Sequence, residues 1–156
     1  MPVWRLSPTA LLLLAAACAT GPGMQRATLT ASLTGLQEVP GPGDPDGNGT
    51  AEIRADPANG RVCWELYARA IEPATAAHIH RGEAGTAGPP VVPLTTPGAD
   101  GRSSGCAAVD PALAQEIAAR AFSFYVNVHT QAQPAGAIRG QLRGGVIRPQ
   151  SQPAGR

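Results

Sequence analysis

The order of apolar and polar positions divides most of this chain into short strands. From residue 27 onward, apolar side chains tend to alternate with polar ones, which is the period of a strand with one buried face. The alternating runs cover residues 27–36, 50–54, 61–71, 75–81, 122–130 and 137–142. Residues 82–105 are expected to form a long Gly/Pro/Thr loop that one short apolar run, at 91–94, interrupts.

One segment has helical signals instead. Asp110 is a residue type that caps helix starts, and Pro111 fits a first turn. Leu113 and Ile117 then lie on one apolar stripe, so a helix is expected over about 111–120. About seven strands with turns between them and one helix predict an all-β fold, an antiparallel Greek-key β-sandwich.

All three histidines of the sequence lie in two of the expected strands. Successive side chains of a strand point to opposite faces, so His78 and His80 share one face and Ile79 points the other way. The second strand has an apolar face of Phe122, Phe124, Val126 and Val128 and a polar face of Ser123, Tyr125, Asn127 and His129. If both apolar faces pack on one core, all three imidazoles lie outside it.

Two interpretations of these histidines follow. Imidazoles two residues apart in a strand can converge on one ion, and His129 would complete a three-nitrogen site for copper or zinc with His78 and His80. Tyr125, Asn127 and Arg139 are then candidates to support the ligands from behind. Alternatively, the imidazoles hydrogen-bond to Asn127, Arg139 or backbone carbonyls and only stabilise the sheet. The sequence leaves both interpretations open.

The first 18 residues have the features of an export signal. Arg5 precedes an apolar run, at 10–17, that is too short to span a bilayer. Residues 14–18 then resemble the lipobox of bacterial lipoproteins, whose cysteine, here Cys18, is lipidated and becomes the mature N-terminus. Ala19 in the next position resembles outer-membrane lipoproteins. In the alternative, signal peptidase cuts after Ala17 or Ala19 and the protein is secreted.

These features predict the organisation of the whole chain. Residues 1–18 are expected to be a lipoprotein signal peptide, residues 19–26 a tether, residues 27–142 the folded domain, and residues 143–156 a disordered Gly/Pro/Gln-rich tail. The expected location is the outer membrane, facing the periplasm, with secretion as the alternative if Cys18 carries no lipid. The protein would contact the membrane through this N-terminal lipid.

Export also determines how the cysteines are interpreted. With Cys18 taken by lipid, Cys63 and Cys106 remain, and an oxidising compartment permits a bridge between them. Such a bridge would close a loop of roughly 40 residues and stabilise the fold by about 4 kcal/mol. Two separate buried thiols are the alternative.

Charge and composition exclude some partners and reactions. The formal net charge is +1 and only 15% of residues are charged, so no basic surface for nucleic acid is expected. No Gly-x-Ser-x-Gly turn is present, and neither Cys63 nor Cys106 has an evident histidine partner for nucleophilic catalysis. The acidic residues do not form a recognisable catalytic pair. An enzyme is therefore not expected.

Several motifs occur in one order along the chain. They are Leu33–Pro40 (LTGLQEVP), Gly49–Ala51 (GTA), Ala77–Gly82 (AHIHRG), Tyr125–Thr130 (YVNVHT) and Gly136–Leu142 (GAIRGQL). Together they resemble the CHRD domain, the repeated module of the developmental regulator chordin, which also occurs singly in bacterial secreted proteins. Gly41 and Ala137 depart from the family's usual residues. The resemblance implies an extracellular domain and supplies no general activity for the bacterial members.

Two functions are therefore expected to compete. The first is a non-catalytic binding module of the cell envelope, in which loops such as residues 82–105 contact an unknown protein or the cell wall. The second is a periplasmic copper- or zinc-binding protein that uses His78, His80 and His129. The His-x-His motif is similar to one in copper-zinc superoxide dismutases, but that binuclear centre needs more histidines than the three present.

Overall fold

The computed structural model describes Met1 and residues 25–146. The expected signal peptide, Cys18, most of the tether and residues 147–156 of the expected tail lie outside the described residues. The predicted all-β fold with one short helix is confirmed. The elements are β1 (Ala27–Thr34), β2 (Asn48–Asp56), β3 (Arg61–Arg69), β4 (Ala74–Arg81), β5 (Pro90–Leu94), β6 (Arg102–Ala108), α1 (Pro111–Ala119), β7 (Phe124–Thr130), β8 (Ile138–Gln141) and β9 (Arg143–Val146).

The nine strands of the described residues belong to one antiparallel sheet that curves back around a single core. Its order is β5-β4-β7-β8-β1-β2-β3-β6, and β9 also pairs with β1. Strands β8 and β1 are joined by one residue pair, Thr34 with Arg139. The sheet therefore consists of two parts, the histidine half (β5, β4, β7, β8) and the disulfide half (β1, β2, β3, β6, β9).

Strand β3 shows why the alternating pattern predicts the fold well. Val62, Trp64 and Leu66 are buried in the core, while Glu65 on the opposite face is exposed. The Trp64 indole Nε1 donates a hydrogen bond to Ser103 Oγ at 3.2 Å, which satisfies its polar atom. Burying side chains of this size stabilises the fold by roughly 1.5–3 kcal/mol each.

The expected long loop at residues 82–105 contains more regular structure than the pattern indicates. The apolar run forms β5, and β6 begins at Arg102 and pairs with β3. Strand β6 lacks large apolar residues, and the Trp64 ring lies against its Gly105. A Cβ on Gly105 would be 2.7 Å from Trp64 Cζ2, so a small residue is required there.

Two boundaries also differ from the sequence expectation. Strand β7 begins at Phe124, because residues Ala121–Ser123 form a 3-10 turn that leaves Phe122 60% exposed instead of in the core. The expected tail begins too early, since Arg143–Val146 forms β9 along β1. A Cβ on Gly144 would lie 2.8 Å from Thr28 O, so glycine here permits close strand pairing.

The helix and the disulfide are as expected. Helix α1 is capped by Asp110 Oδ1, which accepts a hydrogen bond from Ala112 N at 2.7 Å, and its face containing Ile117 is buried. Cys63 and Cys106 form a disulfide between directly opposed positions of β3 and β6. No helix among the described residues is long and apolar enough to cross a membrane.

Candidate metal centre

The three histidines lie on the outer face of the histidine half, as the alternation predicts. Pairing between the strands aligns the polar side chains of this face in two rows. One row contains His78, Asn127 and Arg139, and the next contains His80, Tyr125 and Gln141. This outer face is partly covered, because the connections at residues 35–47, 82–89 and 131–137 contact it. The imidazoles are therefore partly shielded from water.

The structure brings His78, His80 and His129 together. One ring nitrogen from each lies within 4.8 Å of those of the other two. The shortest approach is 3.3 Å, between His78 Nδ1 and His129 Nε2. The cluster lies in a shallow depression of about 290 Å³ whose remaining lining is Thr75, Ala76, Pro90 and Pro134. The group opens to solvent on one side and is small enough to share one ion.

Backbone carbonyls fix the orientation of two of the three rings. His80 Nδ1 is 2.9 Å from Gly88 O, and His129 Nδ1 is 3.1 Å from Pro134 O. A carbonyl oxygen only accepts hydrogen bonds, so each Nδ1 carries the proton and each Nε2 presents a lone pair when the ring is neutral. His80 Nε2 is buried and has no hydrogen-bond partner among the described residues.

Burial also keeps the imidazoles uncharged. It is the largest cause that lowers the pKa of all three histidines. The neighbouring rings lower the pKa of His78 further, while the Gly88 carbonyl acts in the opposite direction on His80. Metal ions bind the neutral form of imidazole, so these ligands need no deprotonation at neutral pH.

The three candidate supporting residues lie behind the cluster in an unexpected arrangement. Tyr125 stacks on His80, with ring centroids 4.9 Å apart and an interplanar angle of 16°. Arg139 Cζ lies 3.5 Å from the centroid of the Tyr125 ring. The Asn127 amide points to Glu38 Oε2, at 3.4 Å. Among the described residues, none of these three side chains hydrogen-bonds to an imidazole nitrogen.

Sequence reasoning missed Glu38, which is buried beside this network. Burial raises the pKa of its carboxyl to about 7, although Arg139 and Asn127 act to lower it. A Cβ on Gly136 would lie 2.4 Å from Glu38 Oε2, so the carboxylate fits only against a glycine. Its position inside the Leu33–Pro40 motif is the only sequence signal, because a single acidic residue in a turn segment is usually solvated.

The donor set fits a borderline transition ion. It consists of three neutral nitrogens, and the open side leaves a position for water or another ligand. No thiolate or carboxylate among the described residues completes the cluster. Two of the three rings already have the hydrogen-bonded second nitrogen that metal-binding histidines commonly show.

Comparison with known proteins identifies one family. The family model of the CHRD domain matches residues 29–142, which include every strand of the histidine half and all three histidines. A comparison with curated proteins finds no match.

Proposed function

The chain belongs to the CHRD domain family, and we propose that it is an exported, lipid-anchored binding module that holds a copper or zinc ion at His78, His80 and His129. The observation that carries the proposal is the convergence of three imidazole nitrogens within 4.8 Å of one another. The family favours a binding role over catalysis. The disulfide between Cys63 and Cys106 is compatible with export.

A purely structural histidine cluster explains the geometry less well. Buried polar atoms normally have hydrogen-bond partners, and leaving one without a partner costs about 1–3 kcal/mol. His80 Nε2 is buried, lacks a partner among the described residues and lies beside the other two rings. An ion bound there would satisfy this atom. The carbonyls of Gly88 and Pro134 would hold two ligand rings in place before the ion arrives.

The ligand chemistry favours copper over zinc in affinity. Nitrogen ligands suit both ions, and the general order of stability places copper(II) above zinc. Three protein ligands with an open position also match zinc sites that keep a water molecule. Both ions are therefore tested, with copper(II) expected to bind more tightly.

The histidine cluster is level with the C-terminal end of β1. Strand β1 runs from Ala27 to Thr34, which is roughly 23 Å at the usual rise per residue. Thr34 lies in the same cross-strand row as Arg139, Asn127 and His78. The row that contains His78 therefore meets β1 at Thr34, across β7 and β8, and not at Ala27, which follows the expected tether in the sequence.

Metal-dependent stabilisation tests the proposed function. At 100 times the dissociation constant, a ligand that binds only the folded state stabilises it by about 2.7 kcal/mol. We expect copper(II) or zinc to raise the melting temperature of the native protein. The variants His78→Ala, His80→Ala and His129→Ala should each weaken binding at least tenfold. Thr75→Ala, at the rim of the depression, is the matched control and should behave like the native protein.

The outcome is decisive in either direction. Variants that lose stability equally with and without metal would indicate a structural histidine cluster. A native protein whose melting temperature does not respond to either ion at neutral pH would contradict the metal-binding proposal.

Lipid anchoring has a separate test. Cys18→Ala should abolish metabolic lipid labelling and move the protein from the membrane fraction to the soluble fraction, because the thiol that carries the lipid is gone. Cys63→Ser, which leaves Cys18 intact, is the control. A mature native protein that begins at Thr20 without lipid would contradict the anchor while leaving the metal centre unaffected.

A further inference from the structure

One segment of main chain contributes directly to the proposed metal centre. Residues 82–89, the covering segment, connect β4 to β5 across the polar face of the histidine half. Residues 83–87 have exposed side chains, so the segment is not held by burying them. It supplies the Gly88 carbonyl that orients His80. Whatever holds the main chain of this segment therefore also determines the direction of His80 Nε2.

Side chains of the sheet hold the covering segment by its backbone. Arg139 Nη2 donates to Glu83 O and Thr86 O, both at 2.9 Å. Gln141 Nε2 donates to Gly82 O at 2.8 Å. At the other end of the segment, the Tyr125 hydroxyl accepts from Gly88 N at 3.1 Å.

Arg139 is the centre of this arrangement. Its side chain is 1% exposed and is the largest fully buried side chain among the described residues. A buried cation is costly, and an apolar side chain of similar size would often stabilise a core equally well or better. Arg139 Nη1 also lacks a partner among the described residues. Packing alone is therefore a poor explanation for an arginine at this position.

Two chains of contacts connect Arg139 to His80. The first passes through the carbonyls of Glu83 and Thr86 to Gly88 O and then to His80 Nδ1. The second passes through Tyr125, because Arg139 on β8 and His80 on β4 approach this ring from the two strands that flank β7. Both routes end at the same imidazole.

We propose that Arg139 is a positioning residue for the metal centre, which fixes the covering segment and thereby aims His80 Nε2 at the ion. This inference rests on the proposed function. It also predicts whether replacing Arg139 strengthens or weakens metal binding, because a positive charge by itself repels a bound cation. If Arg139 acted only through its charge, its removal would strengthen metal binding. If it positions His80, its removal weakens binding.

Copper(II) binding by the full chain tests whether the loss of Arg139 strengthens or weakens metal affinity. Arg139→Gln should weaken copper(II) affinity by roughly 10- to 100-fold, measured against a competing chelator, and should reduce the nitrogen coupling in the copper(II) electron paramagnetic resonance spectrum. Arg139→Lys should restore most of the affinity, because an ammonium group can donate to both carbonyls. Arg102→Gln is the control, since Arg102 also lies over a tyrosine ring, Tyr67, but in the disulfide half.

Each result has a defined meaning. Unchanged or tighter binding by Arg139→Gln, with an unchanged spectrum, overturns the positioning role and leaves the metal centre intact. No copper(II) binding by the native protein overturns the proposed function and this inference with it. If Arg139→Gln does not fold, Tyr125→Phe decides, because it removes only the hydroxyl that holds Gly88. Weaker binding and an altered spectrum support the inference, and native behaviour overturns it.

Discussion

The two halves of the sheet use polar residues in opposite ways. On the outer face of the disulfide half, Arg54 pairs with Glu52 and Glu65, and the three side chains are between 41% and 63% exposed. On the outer face of the histidine half, the polar side chains are covered by loops, and Glu38, Asn127 and Arg139 are buried. Water can replace a lost partner on the first face but not on the second. The second face therefore contains the interactions that are costly to make and specific in geometry.

The largest effect on stability is expected in the disulfide half. Cys63→Ser and Cys106→Ser should each lower the free energy of unfolding by about 4 kcal/mol, because each removes the same restraint on the unfolded chain. The double variant should lose little more. Urea denaturation measures all three. Ser104→Ala, an exposed position on the same strand, is the control.

The disulfide variants also test whether the halves are independent. Copper(II) affinity of the folded variants should equal that of the native protein, because the bridge joins β3 to β6 and none of the histidine ligands lies there. A large loss of affinity would contradict the separation between the halves. Two free thiols in the unreduced, unfolded native protein would contradict the bridge itself.

A smaller effect, with a distinctive pH dependence, is expected from Glu38. Its pKa is raised from 4.5 to about 7 by burial, so the folded protein binds this proton more tightly than the unfolded chain. Its contribution to stability is full below pH 4.5 and is lost as the pH rises through about 7. The loss is on the order of 3 kcal/mol. Glu38→Gln should remove it.

The three histidines also change stability with pH, so the effect of Glu38 must be measured as a difference between two proteins. Burial lowers their pKa values, so their contribution has the opposite sign: it is full above the unfolded value of 6.5 and is lost as the pH falls from there through the lower pKa of the folded protein. Subtracting the unfolding free energy of Glu38→Gln from that of the native protein, at about pH 5 and about pH 8, isolates the contribution of the Glu38 carboxyl to stability. A difference that does not change between these conditions would contradict a protonated, buried Glu38.

The smallest effect is expected from the surface charges of the disulfide half. Arg54→Ala should change the free energy of unfolding by less than about 1 kcal/mol, because exposed ion pairs are weak. Added salt should reduce even this change. Urea denaturation at low and high salt measures it, and Arg61→Ala, an exposed arginine on β3, is the control. A loss as large as that of Glu38→Gln would contradict the contrast between the halves.

Sequence patterns predicted the elements whose own residues determine their structure. The alternation in β3 identified Trp64 as a core residue, Asp110 marked the start of α1, and the spacing of His78 and His80 placed them on one face. These features depend on neighbouring positions in the chain. They explain why the all-β fold, the helix and the shared face of the histidines were predictable.

Other features depend on distant residues and left no local pattern. Gly105 in β6 is small because Trp64 fills the space in front of it, and Gly144 in β9 is small because β1 passes close by. The groups that orient the histidine rings were missed for a related reason. Gly88 and Pro134 contribute backbone carbonyls, which every residue has, so their roles arise from loop conformation and not from side-chain type.

The contact between His78 and His129 has a consequence for the rate at which the proposed centre would bind an ion. His129 uses its only proton on Pro134 O, so its Nε2 accepts, and His78 Nδ1 donates the proton between the two rings. An ion held through His78 Nδ1 would require this proton to move to the other nitrogen of His78. A transfer between the two nitrogens of one ring would release no net proton, but it would require an acid–base catalyst. Association of copper(II) with the proposed centre should therefore accelerate with buffer concentration at constant pH.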